Sequence, residues 1–198
     1  MTTIMMAYML LSGPLPRISA PLYTKVLGIS IGQSTSRELE SKIGKGIVRV
    51  GGHSDSGRLW KFKECKIRTD SFERHGNRFL IDLFDVESWK GKLGDCYPFD
   101  KYKPWVLESL VYGEKLSDCA KELRTAGLRI YPIHFKGFAG VDKAGHPIAA
   151  AYYGLQRKDR IRVTINGEKY LRIYTLFIGG GKRVRDIMIT MDTQRAAH

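Results

Sequence analysis

Apolar and polar positions alternate with a strand-like period over much of the chain, and two stretches with helical spacing interrupt them. The first lies at 35–44. Thr35 and Glu38 have capping-box spacing, in which a hydroxyl and a carboxylate satisfy each other's free backbone N–H groups. Leu39 and Ile43 fall one turn apart on an otherwise polar helix, and Gly44 supplies the stop. A second helix is expected over 105–126, beginning after Pro104 and ending at Gly127, with Leu107, Leu110, Val111, Cys119, Ala120 and Leu123 as an irregular apolar face that Gly113 interrupts. Strands are predicted at 47–50, 59–68 and 79–86, and then at 128–131, around His134-Phe135, and at 148–153, 160–164, 169–177 and 184–191.

This order defines an α+β protein, with short helices packed on one face of an antiparallel sheet. Residues 1–21 form an apolar leader and 22–87 a first α+β unit. A Gly-, Lys-, Tyr- and Pro-rich linker at 88–104 precedes a second unit at 105–181, and 182–198 holds a last strand and a basic tail. Each helix stops at a glycine (Gly44, Gly127) and strands follow it. Tandem copies are one reading, and chance recurrence of helix-then-strands is the other.

Composition narrows the class. Of 198 residues, 43% are hydrophobic, enough for a real core, and no apolar run approaches the length that spans a bilayer. The 33 Lys and Arg outnumber the 20 Asp and Glu, leaving +13 and favouring an acidic partner: nucleic acid, a membrane surface or an acidic protein. Residues 1–16 carry no charge, and the apolar run at 4–11 suits the centre of a secretory signal, with Ser19-Ala20 downstream. No Lys or Arg precedes the run, and Pro21 makes a poor cleavage site. An uncleaved leader or a first strand is the alternative. Cys65, Cys96 and Cys119 fit neither a zinc spacing nor a redox pair. One bridge, Cys65–Cys96 or Cys96–Cys119, suits an exported protein, and three reduced thiols suit a cytoplasmic one.

No catalytic residue, metal ligand or cofactor is assigned. His53-Ser54-Asp55 are consecutive and Gly-flanked, whereas triad members converge from separate elements. The five histidines form no metal motif, and Gly179-Gly180-Gly181-Lys182 lacks the spacing of a phosphate-binding loop. The last hairpin is more informative, because Asn166-Gly167 is a strong turn signal. A two-residue turn mixes Glu168 and Arg172 among Ile161, Val163 and Ile165. A three-residue loop, 165–167, instead gathers Ile161, Val163, Leu171 and Ile173 on one face. The other face then collects Arg160, Arg162, Tyr170, Arg172 and Tyr174. Such a face can stack bases and neutralise phosphates, or anchor a protein interface, or simply be a solvated strand face.

The first half resembles the fold shared by BamE-type small outer-membrane lipoproteins and the β-lactamase inhibitory protein. Those families open each unit with Gly-x-Ser/Thr before a short helix, close it with Gly, and continue into strands bearing an aromatic pair. The matching residues are Gly32, Ser34, Gly44, Trp60 and Phe62, over about 27–86, with 107–178 as a second unit. The resemblance implies a non-enzymatic, periplasmic or secreted, protein-binding α+β module, inhibitor-like or envelope-assembly-like, without a cofactor. The expected partner is an acidic protein. A cytoplasmic nucleic-acid-binding protein using the Arg/Tyr face is the alternative.

Overall fold

The computed structural model describes residues 20–48, 57–71, 74–75, 78–141, 147–165 and 167–196. The leader at 1–19 and the His53-Ser54-Asp55 loop lie outside them. Local chemistry builds the first helix as expected. The Thr35 hydroxyl accepts from the Glu38 N–H at 3.3 Å, and the Glu38 carboxylate accepts from the Thr35 N–H at 2.7 Å. The cap opens α1, Ser36–Ile43, and contributes about 0.5–2 kcal/mol. Gly44 ends α1 at φ 89°.

The second helix is shorter than its pattern. Only α2, Leu116–Thr125, is helical. Residues 105–112 spend their carbonyls and N–H groups on 91–94 instead. Leu93 N–H donates to Leu110 O at 2.8 Å, Gly94 N–H to Glu108 O at 2.9 Å, and Tyr112 N–H to Gly91 O at 3.0 Å. The apolar residues there serve a looped layer rather than a helix face.

Twelve strands are described: β1 Lys25–Val26, β2 Ile29–Ser30, β3 Ile47–Val48, β4 Arg58–Lys61, β5 Lys66–Asp70, β6 Arg74–His75, β7 Arg78–Phe79, β8 Leu83–Glu87, β9 Tyr131–Val141, β10 Pro147–Ile165, β11 Glu168–Gly179 and β12 Asp186–Arg195. Eight form one antiparallel sheet in the order β3-β4-β5-β8-β12-β11-β10-β9, while β1-β2 and β6-β7 pair separately. The protein is therefore α+β and mostly sheet. Strand β12 comes from the segment read as a last strand and tail, yet lies centrally between β8 and β11. It joins strands from the two halves of the chain.

Alternate strand positions make the core: Trp60, Ile67, Phe84 and Val86 from the first half, Tyr174, Leu176 and Ile178 from β11, Ile187, Ile189 and Met191 from β12. Leu39 and Ile43 of α1 and Cys119 and Leu123 of α2 belong to the same apolar cluster. Residues 88–104, expected as a linker, add buried Trp89, Leu93 and Phe99, and Phe99 stacks on Trp105 at 5.4 Å. Among the described residues, no helix is long and apolar enough to cross a membrane.

Two strand boundaries differ from the pattern. The run at 79–86 breaks at 80–82 because that segment docks on the turn before α1: Ile81 N–H donates to Ser34 O at 2.8 Å, and Ile81 O accepts from Gly32 N–H at 2.7 Å. The strands expected at 148–153 and 160–164 are one strand, β10. Gly154 does not end it; Gly154 faces Gly179 across the pairing with β11, and the Phe177 ring covers both. A Cβ on Gly154 would meet that ring at 2.5 Å and the Ile178 carbonyl oxygen at 2.9 Å. Gly154→Ala is expected to lose about 1–3 kcal/mol in equilibrium denaturation, as overpacking does. An unchanged midpoint would show that this close approach is not required.

Candidate functional site

The hairpin of β10 and β11 decides which predicted residues meet. Ile165 pairs directly with Glu168, so the connection is two residues long, not three. Gly167 sits at φ 81°, the left-handed region that the second position of such a turn demands. Ile161 then opposes Arg172, Val163 opposes Tyr170, Arg160 opposes Ile173 and Arg162 opposes Leu171. A one-residue slip moves a whole strand's side chains to the other face. The expected five-residue cluster is thereby divided. Arg160 and Arg162 share one face with Leu171 and Ile173; Tyr170, Arg172 and Tyr174 lie on the opposite face with Ile161 and Val163.

That second face accommodates its polar residues through their apolar bodies. Tyr174 is fully buried, and Arg172 is 7% exposed with Nη1 donating to Gly32 O at 3.4 Å. Tyr170 is half-buried and its hydroxyl donates to Glu168 at 2.7 Å. These three residues are committed to the fold or to a neighbour.

The Arg160 face has a different character. Lys158, Arg160 and Arg162 stand exposed along β10, beside partly exposed Leu171, Ile173 and Thr175 of β11. Behind them β12 brings Gln194, Asp192 and Thr190 into the same rows. Strand β9 pairs with β10 only as far as Gln156, so among the described residues Arg157–Ile165 is an open sheet edge. Sequence reasoning missed Lys158, Leu171 and Ile173 as surface residues. The available signal was β11 itself, where Leu171, Ile173 and Phe177 alternate with Tyr174, Leu176 and Ile178, leaving neither face polar.

A cleft of about 840 Å³ runs along the same edge, between β10 and the segment around Tyr23. Three of its polar groups, Tyr23, Arg157 and Asp159, bond to one another. Arg157 holds Asp159 through two bonds of 2.7 and 2.8 Å, and the Tyr23 hydroxyl donates to Asp159 at 2.9 Å. Burial pushes Asp159 up, but hydrogen bonds from Arg157 and Tyr23 outweigh it and hold the carboxyl below its ordinary value. Tyr23 is raised, by burial first and then by Asp159.

Farther across the Arg160 face lies a charged network. Lys66 bonds Glu87 and Arg68 bonds Asp85, each at 2.9 Å, and Asp186 pairs with Glu87 in register. Asp85 is 4% exposed, and burial pushes its carboxyl up to about 7; Arg68 opposes the rise, while Glu87 and Asp186 add to it. Glu87 is held low, chiefly by the Lys66 hydrogen bond. With an unfolded value of about 3.9, the folded chain holds the Asp85 proton more tightly than the unfolded chain does. Stability from this group is full below about pH 4 and is lost as pH rises towards 7. Asp85→Asn is expected to flatten that part of the stability–pH curve. Parallel curves for the two proteins would place the titration elsewhere.

The Gly32–Trp60 motif is structural in detail. Gly32 takes φ 78°, Ser34 Oγ accepts from Ser30 N–H at 3.2 Å, and the Trp60 indole donates to Gly44 O at 2.7 Å. Phe62, just past β4, packs against the core. Cys65, Cys96 and Cys119 are buried free thiols, and burial raises the pKa of each. His134 stacks on Tyr153 at 4.4 Å. Among the described residues no group of His, Cys, Asp and Glu could hold a metal ion. No family model, curated protein or solved structure matches the chain.

Proposed function

We propose that the chain is a non-enzymatic, exported protein-binding module, inhibitor-like or envelope-assembly-like, whose short helices cover one face of the sheet and whose other face takes an acidic protein partner. The observation that carries this reading is the row of exposed Lys158, Arg160 and Arg162 beside half-exposed Leu171 and Ile173. Protein interfaces combine apolar contacts with arginine, and an open strand edge adds backbone donors and acceptors. The resemblance to BamE-type lipoproteins and the β-lactamase inhibitory protein points the same way, as does the net charge of +13. A nucleic-acid reading loses support because Tyr170 and Tyr174, the expected stacking residues, lie on the face opposite the cations.

A photoreactive phenylalanine analogue at Thr175, between the apolar and cationic rows, tests this in producing cells. The expected result is an adduct with an acidic protein of the exported fraction. Changing Lys158, Arg160 and Arg162 together to Glu should reduce that adduct at least tenfold while leaving the fold intact. A nuclease-sensitive adduct, a cytosolic partner, or an adduct indifferent to the triple reversal would overturn the reading.

A further inference from the structure

The Gly179–Lys182 stretch, unremarkable as a sequence motif, borders a cleft of about 700 Å³ at the start of α2, a volume typical of small-molecule sites. Leu155 and Tyr153 line it from the sheet. They share the parity of Ile161, so the cleft opens on the face opposite Arg160 and is independent of the proposed protein-binding surface.

Its construction is two-toned. The inner wall is apolar: Leu116 and Ala120 from α2, Pro132 from β9, and Leu155 from β10. Tyr153 adds a flat wall, held by its stack on His134 with ring planes 14° apart. Four cations line the cleft, Lys115, Arg124, Lys182 and Arg183, and no Asp or Glu does. Among the described residues Lys115, Arg124 and Lys182 have no ion-pair partner, whereas Arg183 is anchored by donating to Gly113 O at 2.7 Å. The two cation-bearing elements are fixed to each other by their backbones. Leu116 N–H donates to Lys182 O at 3.2 Å, Val184 N–H donates to Glu114 O at 2.9 Å, and Lys115 bridges Arg183.

Unpaired cations repel one another, and an apolar wall exposed to water costs free energy; one ligand class relieves both. We infer that this cleft binds a free amphiphilic anion, a small molecule with an aliphatic or aromatic body against Leu116, Ala120, Leu155 and Tyr153 and a phosphate or carboxylate head among Lys115, Arg124, Lys182 and Arg183. The positive end of α2 adds to the attraction for the head.

Calorimetric titration of the full chain with decyl phosphate, below its micelle concentration, tests the assignment. One molecule should bind per chain, with decanoate binding too. Decanol, decyltrimethylammonium and inorganic phosphate should each bind at least tenfold more weakly, since each lacks one half of the recognition. Lys115→Glu with Lys182→Glu should weaken decyl phosphate at least tenfold, and Tyr153→Ala severalfold, with circular dichroism unchanged. The Lys158, Arg160 and Arg162 reversal should leave it unaffected, which separates this site from the protein-binding face. Equal binding of decanol or of inorganic phosphate would overturn the proposal. So would binding that survives the double reversal, preference for adenosine monophosphate over decyl phosphate, or association with phosphatidic acid vesicles without binding of the soluble monomer.

Discussion

Truncating Trp60 to alanine is expected to lower the unfolding free energy by about 3–5 kcal/mol, the range for removing a large buried aromatic. The residue is 3% exposed and sits on β4, a four-residue strand whose outer neighbour β3 is described over Ile47–Val48. The indole also reaches beyond its strand: its N–H donates to Gly44 O at 2.7 Å, the carbonyl at the end of α1. Gly46 presses against the ring so closely that a Cβ there would lie 2.7 Å from it. Losing the ring removes a packing surface and a tie between α1 and the sheet edge together. Trp60→Phe separates the two effects, keeping most of the apolar area while leaving the Gly44 carbonyl unpaired, at a cost of about 1–3 kcal/mol. Urea denaturation of both variants measures the difference. A loss below about 1 kcal/mol for the alanine variant would show that this edge carries no weight.

Trp60 and α1 were legible in the sequence because their signals are local. Thr35, Glu38, Leu39, Ile43 and Gly44 lie within ten residues, and their spacing has one good structural solution. The second helix misled because Leu107 and Leu110 have helical spacing but satisfy a non-helical layer against 91–94, a partner invisible at a distance in sequence. β12 read as a last strand, yet nothing in its own residues shows that it is central; only its pairing with both β8 and β11 does. The candidate site depended on a finer discrimination. A loop of two or three residues at Asn166-Gly167 reverses which β11 residues join Arg160, and the premise that a core face excludes arginine chose the wrong length. Arg172 is long enough to bury its stem and still donate to Gly32 O, and the Tyr174 ring is mostly apolar. Nor could the sequence bring Lys182 to Lys115, because that contact runs through backbone bonds between distant loops.

Arg172 offers the sharpest contrast with its neighbours on the hairpin. Arg172→Glu is expected to destabilise the fold by about 3–5 kcal/mol, while Arg160→Glu and Arg162→Glu each change stability by less than about 0.5 kcal/mol. The guanidinium is 7% exposed, opposite Ile161, and Nη1 reaches Gly32 O across 140 residues of chain. Gly32 is also where the Tyr174 hydroxyl arrives; a Cβ there would sit 3.1 Å from that oxygen. Arg172 therefore helps hold the turn before α1 onto β11, on the buried face of the sheet. A glutamate at this position would bury a charge that repels the Gly32 carbonyl oxygen instead of donating to it. Arg172→Met, which keeps the stem and removes the charge, is expected to cost less than about 1.5 kcal/mol, because well-packed apolar replacements of buried charges are often neutral. Thermal and urea unfolding of the four variants, with binding measured on those that fold, reads the whole pattern. If Arg172→Glu unfolds with the midpoint of Arg160→Glu, the side chain is solvated and the two-residue register loses its main energetic consequence. If Arg172→Met proves as damaging as Arg172→Glu, the charge itself holds the Gly32 turn, and the apolar stem contributes little.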